Sequence, residues 1–343
     1  MLLLCHGDSK MKNIFKSKRG FFFTMTILFL IALLLLISFS YRKDYTIDST
    51  KTKLISVDRF ADTIEKDAKR AIYISGQRTL VAILDYSTTK GKIPDDVSFD
   101  KIFADAFING SLNYSLNYDP KTSMLNDSTL GIWANNTVLR ANMSKLNLTF
   151  INLENTEVSI NQSDPWAIDM NVSLAFILRD NSMNAEWHRN VTVEGKIPIF
   201  GLEDPLYPRN LAKDKKNIVH KSNYYPFVDE NCSGENLTEH FNTPLDQVGS
   251  YYIQSDDAPN YLSRLRGKID AMNVGTGIES LINIQRLGQG VEPYSLVDHS
   301  YFSHIPSDPS ELVAIDAPPA PTWIVMTLDE ANNVYHIPSN CYF

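Results

Sequence analysis

Positions 21–40 read FFFTMTILFLIALLLLISFS, twenty residues without a charge. As a helix rising 1.5 Å per residue the run is roughly 30 Å long, the thickness of a bilayer's hydrocarbon core. Any fold for this chain has to dispose of that apolar surface, and a membrane does so directly. A cleaved secretory signal fits less well, because its apolar region spans only about 7–15 residues before a small-residue cleavage site. Here the run is longer and passes into Phe-Ser-Tyr-Arg-Lys-Asp. The expectation is a retained single-pass anchor at 21–41, with the lipid bilayer as partner.

Charge gives the orientation. Lys10, Lys12, Lys16, Lys18 and Arg19 precede the run with one acid, Asp8, while Arg42 and Lys43 follow it. The denser basic cluster stays cytoplasmic, so the remainder is expected outside the cell. Residues 1–20 carry a net +4, which leaves −12 of the overall −8 for positions 21–343. An acidic ectodomain argues against nucleic acid as a partner.

Asn-x-Ser/Thr triplets occur at Asn109, Asn113, Asn126, Asn135, Asn142, Asn147, Asn161, Asn171, Asn190, Asn231 and Asn236, with none outside that interval. Their placement carries more information than their number. Segments 146–153, 156–162, 168–178 and 187–199 alternate as half-buried strands do. Leu148, Ile160, Val172 and Val193 fall on the apolar side, and Asn147, Asn161, Asn171 and Asn190 on the other. Period-2 geometry therefore predicts one antiparallel sheet whose solvated face carries four glycan acceptors. Cys5 precedes the anchor, and Cys232 and Cys341 form an even pair in a compartment where disulfides persist. A bridge between them would close a loop of about 110 residues, worth roughly 4–5 kcal/mol in the chain-entropy account.

Between anchor and sheet, Leu54, Val57, Ala61, Ile64, Ala68 and Ile72 recur at three- and four-residue steps, and no proline intervenes until Pro94. This predicts an amphipathic helix over about 52–87, running on from the membrane helix with a bend near 45–50 and packed on the sheet. Shorter helices are expected at 99–108, ending at Gly110, and at 128–143. Residues 201–249, with Pro205, Pro208, Pro226 and Pro244, lose periodicity and read as an irregular connection. Residues 250–343 suggest a small mixed α/β region with a helix near 261–269 and apolar runs at 312–315, 323–328 and 334–337. The fold class is therefore α+β: leader 1–20, anchor 21–41, helical stalk and sheet 48–200, connection 201–249 and a C-terminal region 250–343.

Catalytic signatures are absent: there is no Gly-x-Ser-x-Gly, His-Glu-x-x-His or Walker loop. Gly275-Thr276-Gly277 lacks the third glycine of a dinucleotide fingerprint and reads as a turn. His299 and His304 beside Asp298 lack a third metal ligand at any informative spacing. Asp256-Asp257 reads as a helix-capping pair. The expectation is a non-enzymatic chain with no cofactor and no metal.

Lys16-Ser17-Lys18-Arg19-Gly20 followed by Phe21-Phe22-Phe23-Thr24 resembles the leader and cleavage site of type IV prepilins. The resemblance implies cutting after Gly20, so that Phe21 becomes the new amino terminus. Starting at Met11 instead of Met1 gives the leader MKNIFKSKRG. The family's architecture, an apolar helix continuing into an amphipathic helix on an antiparallel sheet, is similar to that expected here. With the dense sequons, the chain resembles an archaeal pilin-like surface protein. Two departures stand out: Met25 where many pilins carry a glutamate, and a larger exported part. The resemblance implies a minor pilus subunit or adhesion module, with other pilin-like subunits or surface proteins as partners. The alternative is an unprocessed type II membrane protein whose C-terminal region binds or processes a glycan.

Overall fold

The computed structural model describes residues 18–90, 98–112, 125–180, 185–270, 275–288, 294–303 and 309–343. The chain divides into two units, residues 1–62 and 63–343. Helix α1 is continuous from Lys18–Lys90, including positions 45–50. In the first unit it contains Phe22–Ser40, long and apolar enough to cross a membrane, with a mean hydropathy of 2.7 and no buried residue.

In the second unit, α1 turns Ile64, Ala68, Ile72, Ser75, Thr79 and Ile83 inward, the 3.6-residue stripe expected of a core-facing helix. Helix α2 (Phe99–Asn109) ends at Gly110, whose φ of 71° and N–H to the Ala106 carbonyl form a left-handed cap. Helix α3 (Leu130–Met143) starts on Thr129, whose hydroxyl accepts from the Ile132 N–H. The Asp67 carboxylate on α1 accepts from the Trp133 indole at 3.2 Å and pairs with Arg140 at 2.9 Å, tying α3 to α1.

Strands β1 (Leu146–Ile151), β2 (Val158–Asp164), β3 (Ala167–Asp180) and β4 (Ala185–Pro198) form one antiparallel sheet. Strand β3 is its spine. β4 pairs along its whole length, while β1 and β2 lie end to end on its other edge, opposite Ala175–Asp180 and Ala167–Val172. Facing pairs such as Leu148 with Leu178, Ile160 with Met170 and Val172 with Val193 form the inner surface. Gly76 of α1 lies against it so closely that an added Cβ would stand 2.6 Å from the Met170 methyl and 2.7 Å from the Ile197 tip. Trp133, Phe150 and Phe176 continue the contact toward α3, with ring centroids 5.6 and 6.0 Å apart.

Residues beyond the sheet contain short elements: α4 (Leu206–Asn210), α5 (Glu235–Phe241), β5 (Ile253–Gln254), α6 (Tyr261–Arg266), β6 (Ile278–Glu279), α7 (Asp298–Ser303), β7 (Leu312–Ala314) and β8 (Val325–Thr327). Strands β5 and β6 pair, as do β7 and β8. The segment read as an irregular connection has few regular elements, yet it carries the fully buried Asp204, Tyr207, Asn217 and His240. Its strand-like bridges join Lys216 to Gln247 and Lys221 to Tyr252. Run 334–337 is entered through a π-helical turn, Glu330–Val334. Ser87 of α1 donates to the Leu265 carbonyl and accepts from Arg209, and the Gln162 side chain of β2 accepts from the Leu262 N–H, joining helix and sheet to this region.

Candidate functional site

Helix α6 has six residues and is set by its ends. The Asn260 side chain caps it, accepting from the Ser263 N–H at 2.9 Å, and Gly267 closes it with φ 74°. The cap is Asn260, not the Asp256-Asp257 pair, because the pair falls three and four residues too early to reach the first free N–H groups. So anchored, α6 points Arg264 into the protein, where it is the largest side chain with no solvent exposure.

Every face of that guanidinium is met. It donates to Asp204 at 2.5 Å, to both oxygens of Asp298 at 2.8 and 3.1 Å, and to the Pro259 and Ile278 carbonyls. Tyr252 donates to Asp204 at 2.8 Å and lies with its ring centroid 5.8 Å from the guanidinium carbon. Ser280 donates to Asp298 and shares a 2.6 Å hydrogen bond with Tyr207. Burial alone would raise the Asp298 carboxyl, but the Arg264 charge and hydrogen bonds outweigh it and hold the group at about 2. Burial raises Asp204, opposed by Arg264 and reinforced by the Asp298 charge. A fully paired cluster of this kind, with none of its three charged side chains exposed to solvent, has no open position for a substrate. It is a clamp that fastens residues 204, 252, 264, 280 and 298 together.

Two further buried polar groups flank it. Glu279 is pushed up to about 7, first by burial, with His299 opposing and Glu330 reinforcing. Its Oε2 lies 3.8 Å from His299 Nδ1, which is 3.6 Å from Asp298; these are ion-pair rather than hydrogen-bond separations. His240 is pushed down to about 3 by burial and is neutral; its ring nitrogens meet the Ser222 and Ser250 hydroxyls at 3.0 and 3.1 Å.

An open feature of the region is an aromatic cleft of about 270 Å³, lined by residues that include Trp166, Lys221, Tyr224, Tyr225, Tyr252, Gln254 and His336. Trp166 sits in the turn between β2 and β3, its N–H donating to Asp164, and stacks on Phe200 with centroids 5.5 Å apart. Lys221 Nζ stands 5.4 Å over the Trp166 ring. None of these residues is flagged by spacing; only the aromatic-rich run from Tyr224 to Phe227 hints at the cleft.

The sequons fall as the strand faces require. Asn147, Asn161 and Asn190 pair with Arg179, Asp169 and Ala175, all on the same side of β3 as Asn171. All four are exposed, as are Asn109, Asn126, Asn135, Asn142 and Asn231. Asn236 is half-buried and its amide donates to the Pro226 carbonyl at 2.7 Å. Asn113 lies outside the described residues. Cys232 and Cys341 are joined, with an S–S distance of 2.04 Å and Cα atoms 5.4 Å apart. Gly20 and Phe21 fall within α1. His299 faces Glu279, and His304 lies outside the described residues. Among the described residues no group of three acidic, histidine or cysteine side chains is placed to hold a metal ion. Gly277 directly precedes β6 at a crowded position, where an added Cβ would meet the Ala258 carbonyl at 2.1 Å, and the left-handed residue of the three is Gly275, with φ 69°. Comparison with protein-family models, curated proteins and solved structures finds no match to the chain.

Proposed function

We propose that this chain is a membrane-anchored, N-glycosylated surface protein of pilin-like architecture that works by display and contact, not catalysis. The observation that carries the reading is the course of α1. One helix contains the apolar stretch Phe22–Ser40 and, from residue 63 on, the inward stripe whose Gly76 meets the inner face of the sheet. The opposite face of that sheet carries four exposed glycan acceptors. The buried Arg264 clamp supports the non-enzymatic reading, since the region's strongest cluster of charges is closed to substrate.

In this reading a prepilin-type peptidase cuts after Gly20, and the chain stays in the membrane or joins a filament beside a different subunit. In a homopolymer the new amino terminus would be buried among apolar helices and would need a negative partner, because an uncompensated buried charge is costly. Met25 cannot provide one. Sequencing the amino terminus of the mature protein tests the processing: a start at Phe21, lost in Gly20→Glu, is expected. A mature start at Met1 or Met11 refutes it and leaves the unprocessed type II protein. Imaging cells that express this chain as their sole pilin tests the assembly: bare membrane carrying the protein is expected, and long filaments built of it would refute the expectation that it does not polymerise alone.

A further inference from the structure

We propose that the Trp166–Tyr225 cleft binds an acidic pyranose, a sugar ring bearing a carboxylate. The proposal goes beyond anchoring and stands apart from it, since every residue concerned lies in the second unit.

The size fits first. A space of about 270 Å³ takes one or two sugar rings and is small for a folded protein segment. The lining fits next. A pyranose has an apolar C–H face and a polar rim, so it is held by aromatic rings with hydrogen-bonding groups around them. Tyr225 is 65% exposed, yet its ring is held upright by edge contacts with Phe227 and His336 at 6.2 and 6.1 Å. Such contacts orient the ring before a ligand arrives, which lowers the ordering cost of binding. Around it stand Lys221 and the Gln254 side chain. Gln254 is oriented by its own 2.8 Å bond to the Gly275 carbonyl, which leaves its amide oxygen for a sugar hydroxyl.

Charge selects the class. The protein carries −8 overall, yet among the described residues no acidic side chain lines the cleft, and of those residues Lys221 is the one that is permanently charged. A cation standing over an indole at the mouth of an acid-free cleft favours a carboxylate over a neutral hydroxyl. A hexuronic acid meets both requirements. It could come from an external polysaccharide or from an N-linked glycan of this same protein.

The test is saturation-transfer NMR on the full chain in a sugar-free detergent, with methyl β-D-glucuronide and methyl β-D-glucoside as probes. The expected result is saturable binding of the glucuronide at least tenfold tighter than the glucoside. Lys221→Gln should abolish that preference, Tyr225→Ala should weaken binding about tenfold, and Tyr225→Phe should retain it. Both positions are exposed, so circular dichroism should match the parent. Protein made without N-glycosylation separates the sources: binding gained only there identifies the protein's own glycan as occupant, and equal binding in both forms identifies an external one. Binding of neither probe in either form, equal binding of the two, or binding untouched by Tyr225→Ala overturns the proposal.

Discussion

Asp298 receives both terminal nitrogens of Arg264, at 2.8 and 3.1 Å, where neither side chain reaches water. The two residues are 34 positions apart, and Asp204, the third member, is 60 positions before Arg264. The pairing therefore closes chain segments that share no sheet and no long helix.

Removing the cation should expose its cost. Arg264→Ala leaves two carboxylates buried and unmatched, an effect on the order of 3–5 kcal/mol. Arg264→Lys should recover little, because a single ammonium cannot make the forked contact to Asp298. Urea unfolding followed by tryptophan fluorescence measures both. A loss below about 1 kcal/mol for Arg264→Ala would show that the clamp is not what fastens this region.

The pH response should turn on Glu279. Its carboxyl is raised from 4.5 to about 7, so the stability it contributes is full below about pH 4.5 and is lost as pH rises through about 7. Glu279→Gln should flatten the decline in that window and leave the variant more stable at pH 8, by up to roughly 3 kcal/mol. His240 acts in the opposite sense. Its pKa is lowered to about 3, so its contribution is present above 6.5 and fades on acidification. Denaturant midpoints between pH 4 and 8 separate the two, and identical slopes for parent and Glu279→Gln would refute the assignment.

The faces of β3 can be told apart by neighbouring substitutions. Val172 is fully buried between Val158 and Val193, whereas Asn171 is exposed. Val172→Asp should cost about 3 kcal/mol or more by burying an unpaired charge. Asn171→Asp should stay within about 0.5 kcal/mol while removing one Asn-x-Ser/Thr triplet. Thermal unfolding decides it, and the reverse ranking would invert the sheet.

Gly76 should tolerate one methyl and nothing larger. The atoms an alanine Cβ would meet, the Met170 methyl and the Ile197 tip, are free ends of flexible side chains. Their small shift is offset by alanine's helix preference of about 1 kcal/mol, so Gly76→Ala should be near neutral. Gly76→Phe has no such room and should lose about 1–3 kcal/mol or more. Equal midpoints for both variants would mean that α1 does not approach the sheet as described.

These outcomes separate what the sequence made legible from what it did not. Strand faces were legible because alternation is local: Asn171 and Val172 announce opposite sides from adjacent positions. The stop of α2 at Gly110 was legible for the same reason. The Arg264 clamp was not, since its members lie in aperiodic stretches and nothing near Arg264 distinguishes it from Arg266 two residues on. Burial of Asp204 depends on a partner far along the chain, information that no window of sequence contains. The cleft was hidden likewise, for Trp166 belongs to a strand turn and Lys221 to the segment read as a connection.

The bridge between Cys232 and Cys341 has a mechanical consequence. Tension passed between α1 and residue 343 leaves the backbone at Cys341 and re-enters it at Cys232, bypassing 109 residue steps. Fully drawn out, that length of chain would measure roughly 360–390 Å at ~3.3–3.6 Å per residue. Because the bridge withholds it, Tyr252, Arg264, Ser280 and Asp298 of the clamp, Glu279 and the His336 side of the cleft are shielded from the load, while Asp204 stays on the loaded backbone. A tug that strips α1 therefore leaves the residues between the two cysteines joined to the chain by a short covalent link.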